Sequence, residues 1–217
     1  MISCRLICLA IGYVFGLFQT SYLLGKLHGI DIRDYGSGNA GTTNMLRTMG
    51  TKAGVITFLG DAIKCILAVI VVRLLFGRMH GDILPLLSMY GGAGVILGHN
   101  YPFYLGFRGG KGIAATGGFA VAFHPMTGLL AILIFFTTFF LTHYVSLGSL
   151  LIYIGFVAEL VVMGQLGWFH MSQGALIELY ILAFLLAALA FWKHRGNIER
   201  LLSGTERKTY LTKKSDQ

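Results

Sequence analysis

Gly54-Val-Ile-Thr-Phe-Leu-Gly-Asp61-Ala-Ile-Lys64-Cys-Ile-Leu-Ala-Val-Ile-Val-Val-Arg73-Leu-Leu-Phe76 is a run of 23 residues carrying only three charges. At ~1.5 Å per residue a helix of that length reaches about 34 Å, enough to cross the ~30 Å of hydrocarbon in a bilayer. Similar apolar runs occupy 4–24, 83–98, 127–142, 146–163 and 175–192, and a shorter one occupies 113–123. The whole chain of 217 residues is 55% apolar and 12% charged, with a mean hydropathy of +0.72. An average soluble domain is about 25% charged. Disorder, collagen-like repeats and an ordinary soluble enzyme are therefore excluded. The expectation is an all-α integral membrane protein: one polytopic domain over 1–217, a compact bundle of seven transmembrane segments. Segment 113–123 is the short one and ends at His124-Pro125. The chain then continues past the last span as a basic tail, 193–217. No small-residue cleavage site follows the first run, which reads as a retained span.

Basic residues orient such a bundle, because cytoplasmic loops are enriched in Lys and Arg. With the N-terminus outside, the inner segments 25–53, 99–112, 143–145 and 193–217 hold thirteen basic residues, and the outer ones only Arg5 and Arg78. The net charge of +8 is thus read as topology, N-terminus out and C-terminus in the cytoplasm, and no nucleic-acid partner is expected. Asp61 and Lys64, i and i+3 in the second span, share a face and can pair. The pair reads either as structural or as direct help at a site. Arg73 is expected to snorkel, and Glu159 and Glu178 receive no chemistry. Cys4, Cys8 and Cys65 form no CxxC and lie in apolar runs, so neither a disulfide framework nor a metal site is expected.

Three polar clusters fall on the inner side. The first runs from Asp31 to Arg47. Its Gly36, Gly38 and Gly41 match G-x-G-x-x-G, but a membrane helix precedes it where a dinucleotide site needs a strand. What remains is a donor-rich loop: glycines that let N–H groups turn to an anion, Ser37, Asn39, Thr42, Thr43 and Asn44 as neutral donors, and the Arg47 fork. The second cluster, Gly98 to Gly112, is not a Walker A loop, since Leu105 stands at the first glycine position and Gly112 follows Lys111. Gly109, Gly110 and Gly112 around Lys111, with a helix start at Ile113, read as a phosphate cradle. The third begins at Lys193; His194 and Asn197 are i, i+3, though a basic tail after a last span is commonplace. Ser146 and Ser149 sit at the start of another helix. Two anion cradles at one membrane face point to a phosphorylated substrate and chemistry at lipid head-group level.

In these residues the chain resembles the bacterial integral-membrane acyl-phosphate:glycerol-3-phosphate acyltransferases, the PlsY family. The likeness runs through Ser21-Tyr-Leu-Leu-Gly25, Gly36-Ser-Gly-Asn39, Thr43-Asn44, Leu46-Arg47, Gly98-His99, Gly109-Gly-Lys-Gly112, Tyr144-Val-Ser-Leu147, His194-Arg195, Asn197-Ile198 and Gly204-Thr-Glu206. Ala40, Thr42, His143 and Gly148 depart from its usual Pro, Ala, basic residue and Ser. The resemblance implies seven helices and acyl transfer from acyl-phosphate to the sn-1 hydroxyl of glycerol 3-phosphate, giving lysophosphatidic acid and phosphate. It implies that Ser37, Thr43, Asn44 and Arg47 lie in the site, that Lys111 and its glycines bind phosphate, that His194 and Asn197 complete the pocket, and that Ser146 and Ser149 line it. No cofactor is expected. The expected partners are glycerol 3-phosphate, a fatty acyl-phosphate and membrane lipids. Because acyl-phosphate is already activated, direct transfer is expected, with a substrate phosphate favoured over His194 as the base. A small transporter for a phosphorylated solute is the competing reading, suited by the buried pair and the short segment.

Overall fold

The computed structural model of the chain describes residues 2–210. All regular structure among them is helical: α1 Ile2–Gly16, α2 Thr20–Leu27, α3 Thr42–Met49, α4 Thr51–Phe76, α5 Leu84–Asn100, α6 Ile113–Phe123, α7 Pro125–Thr142, α8 Val145–Gln165, α9 Gln173–Lys193 and α10 Arg195–Leu202. Six segments are long and apolar enough to cross a membrane, α1 and α2 counting as one, and α6 is the expected short one. Large apolar side chains such as Leu74, Leu141 and Phe184 stay exposed around the outside, as a lipid-facing surface requires.

α5 is the central helix, packed against α1, α4, α6 and α9. Glycine is what lets α1 reach it. A Cβ on Gly12 would stand 1.9 Å from the Gly91 carbonyl oxygen, and one on Gly94 2.1 Å from that of Leu9. Without a hydrophobic force between helices in lipid, such close backbone packing is the main source of association. Away from the site, Arg5 places Nε 2.5 Å and Nη2 2.7 Å from the Glu178 carboxylate, and the Tyr90 hydroxyl donates to Glu178 at 2.8 Å. This clasp ties α1, α5 and α9, a role for Glu178 that sequence alone did not assign.

The first apolar run is broken, which its sequence does not announce. Between α1 and α2 the backbone leaves the helix at Leu17–Gln19. Irregular backbone at membrane depth persists only where its polar groups find protein partners. Lys64 Nζ donates to the Phe18 carbonyl at 2.7 Å, and Gln19 Nε2 donates to the Gly16 and His99 carbonyls at 3.2 and 3.0 Å. Arg73, read as able to snorkel, also finds a protein partner. Its Nη2 lies 2.6 Å from the Phe123 carbonyl and caps the C-terminal end of α6, because that short helix ends within reach of α4.

Candidate active site

The loop before α3 is organised by Asn44. Its Nδ2 lies 3.0 Å from the carbonyls of Ile32 and Tyr35 and 3.1 Å from that of Asn39, while its Oδ1 accepts from Ser37 N at 3.0 Å. Asn44 is buried and its hydrogen-bonding capacity is committed to shaping the loop, so it supports the site and is not a free donor. Gly36 and Gly38 adopt φ of +60° and +70°, the left-handed turns the loop needs. Arg33 stitches this loop to the next. It pairs with Asp31 at 2.7 Å and donates from Nη1 to the Leu105 carbonyl at 2.9 Å. Hydrogen bonds from Arg33 hold the Asp31 carboxyl down at about 2.

The second loop departs from the expected cradle. Gly109 and Gly110 donate their N–H groups to the carbonyls of Asn100 and His99, at 3.3 and 3.1 Å, so these amides are not available to an anion. Their lack of a side chain serves packing instead: a Cβ would come within 2.0 Å of the His99 carbonyl at Gly109, and within 2.2 Å of His99 Nε2 at Gly110. The start of α6 has no side-chain cap, and its first N–H groups remain suited to an anion.

Lys111, Asn197 and Glu206 form a relay of polar contacts. Lys111 Nζ hydrogen-bonds to Asn197 Oδ1. Asn197 Nδ2 donates to Glu206 Oε1 at 2.7 Å, Ser146 Oγ donates to the same oxygen at 2.8 Å, and Arg200 Nε donates to Oε2 at 2.7 Å. Burial opposes ionisation of Glu206, yet these hydrogen bonds outweigh it and its pKa falls. Burial, then Arg200, lowers Lys111 to about 8. His194 donates Nδ1–H to the Ala190 carbonyl at 2.8 Å, which leaves Nε2 as an acceptor. Burial and Lys111 push its pKa down to about 4, so the ring is neutral at pH 7.

A cavity of about 1130 Å³ joins these parts. Of the expected residues, Gly36, Ser37, Asn39, Thr43, Asn44 and Arg47 line it from the first loop and α3; Lys111 and Gly112 from the second; Ser146 and Ser149 from α8; His194 and Asn197 from the end of α9 and α10. Gly38, Gly109 and Gly110 are not on its wall. Ser149 Oγ is engaged with the Val145 carbonyl at 2.7 Å. Thr42 keeps a buried hydroxyl with no partner on the same wall. The polar chamber continues into an apolar groove lined by Phe58 and Ile66 of α4, Val121 of α6, and Ile132 and Phe136 of α7.

The chain beyond α9 is not a loose tail. After α10, the segment to Tyr210 folds back over the site. Thr209 donates its N–H to the His143 carbonyl at 2.9 Å, and Arg47 Nη2 reaches the Thr209 hydroxyl at 2.7 Å and the Arg207 carbonyl at 3.0 Å. Residues 211–217 of the expected tail lie outside the described residues. Sequence reasoning overlooked Glu206 and Arg200 as site residues, although Gly204-Thr-Glu206 was visible as a motif. Of the pair left open between a structural role and the site, Asp61 lines the cavity, and so does His99, to which no role was given.

The family model described as Glycerol-3-phosphate acyltransferase matches residues 6–204. A glycerol-3-phosphate acyltransferase of Thermoanaerobacter pseudethanolicus is 41% identical over 199 residues, covering 91% of this chain and 92% of its own. The chain belongs to the glycerol-3-phosphate acyltransferase family. Another such acyltransferase, from Halalkalibacterium halodurans, is 42% identical over 198 residues, with 90% and 91% covered. The fold resembles crystal structures of PlsY, an integral membrane glycerol 3-phosphate acyltransferase. Its glycerol 3-phosphate form matches with a TM-score of 0.81 at 32% identity, covering 95% of this chain and 96% of that one. Its lysophosphatidic acid form matches with a TM-score of 0.79 at 31% identity over the same shares. The chain is a PlsY-type membrane glycerol-3-phosphate acyltransferase.

Proposed function

We propose that this acyltransferase takes its acyl group from a fatty acyl-phosphate and passes it directly to the sn-1 hydroxyl of glycerol 3-phosphate. The single observation that carries this reading is the continuity of the cavity. A chamber walled by Arg47, Lys111, Lys193 and Arg200 opens into an apolar groove between α4, α6 and α7, so a phosphate head and an alkyl chain fit one site. Arg47, Lys111 and the start of α6 hold the two phosphates, which makes the encounter effectively unimolecular. The sn-1 oxygen attacks the acyl carbon, the bond from that carbon to the bridging phosphate oxygen breaks, and inorganic phosphate leaves with the hydroxyl proton. A phosphate ester with a second pKa of about 6 accepts that proton better than His194 at about 4. His194 Nε2, as a neutral acceptor, orients the hydroxyl.

The split of thirteen basic residues against two supports a cytoplasmic-face site in a bacterial inner membrane, with the N-terminus outside. The test is purified protein in lipid with labelled glycerol 3-phosphate and either palmitoyl-phosphate or palmitoyl-CoA. Lysophosphatidic acid and phosphate in equal amounts from the acyl-phosphate alone are expected. Turnover with the thioester and none with the acyl-phosphate would reverse the donor assignment.

A further inference from the structure

Two residues of the cavity wall, Asp61 and His99, meet the buried Lys64 in a polar trio that the transfer scheme leaves unused. Lys64 is 4% exposed, Asp61 1% and His99 3%. Lys64 Nζ stands 2.9 Å from Asp61 Oδ1, 2.7 Å from the Phe18 carbonyl and 2.9 Å from His99 Nδ1. An ammonium has three protons and no lone pair; besides a long contact to the Gly16 carbonyl at 3.4 Å, it has three short acceptors. His99 Nδ1 is therefore an acceptor, and the ring proton resides on Nε2. Asp61 cannot compete for Nδ1: the two atoms are 3.7 Å apart, beyond hydrogen-bond distance. Thr20 adds a hydroxyl to Asp61 at 3.2 Å, which holds the carboxylate in place.

His99 Nε2 makes no hydrogen bond among the described residues. It lies against Gly110, where a Cβ would come within 2.2 Å of it, and both His99 and Asp61 form part of the cavity wall. An N–H with no protein partner, on a ring that is nearly fully buried and belongs to the cavity wall, is a preorganised donor. We propose that His99 Nε2–H donates a hydrogen bond to a substrate oxygen that bears negative charge, and that Lys64 and Asp61 are positioning residues that hold the ring in this tautomer. This rests on the reading of the cavity as the substrate site. Two oxygens share the chemistry, a phosphate oxygen and the oxyanion formed at the acyl carbon, and kinetics separates them.

Two readouts test it. Nitrogen-15 NMR of histidine-labelled protein in lipid nanodiscs, with His99 assigned by its loss in His99→Gln, reports the tautomer without turnover. The Nε2–H form is expected, and the double variant Asp61→Asn/Lys64→Met, which leaves no lone charge buried, is expected to lose its dominance. A dominant Nδ1–H form in the native protein would overturn the proposal. Wild-type protein that made no lysophosphatidic acid would sink the reading of the cavity but leave this measurement decisive. The second readout is steady-state kinetics. Loss of one preorganised donor costs roughly 10²–10³-fold in kcat, so His99→Ala loses that much if the acceptor is the oxyanion. A rise in the KM of one substrate marks a phosphate oxygen instead. His99→Gln, whose amide carries its own N–H, is expected to restore much of the loss. Unchanged kcat and KM in a His99→Ala protein of native thermal stability would also overturn it. If His99→Ala does not fold, the comparison moves to His99→Gln and His99→Leu. Native-like stability in both, with His99→Gln no more active than His99→Leu, would do the same.

Discussion

Lys111 concentrates the electrostatics of the site in one side chain. Burial and the neighbouring Arg200 draw its pKa down to about 8, so the free enzyme loses this positive charge as pH rises through about 8. Since kcat/KM reports groups of the free enzyme, kcat/KM for glycerol 3-phosphate is expected to fall on the alkaline side with that midpoint. Lys111→Arg stays charged throughout this range, so its fall should move upward or vanish, at some cost in geometry. Lys111→Ala should lose activity at every pH, by about 10²-fold or more as for a charge-assisted contact to a transition state. An unmoved alkaline limb in Lys111→Arg would assign it to another group. At this scale the sequence was partly legible. Residue types suited to anions marked Arg47 and Lys111 correctly as cavity residues. Asn44 and the amides of Gly109 and Gly110 looked alike in composition but are engaged with backbone, and only three-dimensional hydrogen bonding distinguishes a donor that faces a ligand from one that shapes a loop.

Elements obey the same division. The apolar runs located the spans because length against bilayer thickness is a one-dimensional property. The break at Leu17–Gln19 was not legible, because it depends on Lys64 and Gln19 arriving from elsewhere to satisfy the freed carbonyls. The α1–α5 contact is a further case. Its glycines form two G-x-x-x-G pairs, Gly12/Gly16 and Gly94/Gly98, a small-residue spacing that suits close helix packing, but which two helices it joins shows only on packing. Gly94→Ala places a methyl 2.1 Å from a backbone oxygen, where nothing flexible can yield. Overpacking of this kind costs about 1–3 kcal/mol, and for a chain of this size each kcal/mol shifts the unfolding midpoint by about 2–4 °C. A thermal melt in detergent should show that loss for Gly94→Ala and none for Gly174→Ala, whose Cβ would meet nothing within 4 Å. Equal melts would mean that α1 and α5 do not depend on close backbone contact.

At the scale of the molecule, the folding-back of the chain after α9 completes the site. Glu206 bridges Ser146, Asn197 and Arg200, and Thr209 links Arg47 to α7's end through His143. Charge counting alone made this segment a basic tail, since a count of Lys and Arg says nothing of where Glu206 will sit. In the proposed reading both substrates meet in one cavity. No serine or threonine hydroxyl among its described residues hydrogen-bonds to a histidine ring, and Glu206, the carboxylate to which Ser146 donates, is made a weaker base by its Asn197 and Arg200 partners. Direct transfer is therefore the central claim. Rapid mixing of the enzyme with labelled palmitoyl-phosphate, with and without glycerol 3-phosphate, tests it most directly. Direct transfer requires that phosphate appear only when glycerol 3-phosphate is present, with initial-velocity lines that intersect. A burst of phosphate equal to the enzyme, with label retained on the protein and parallel lines, would establish an acyl-enzyme and contradict it.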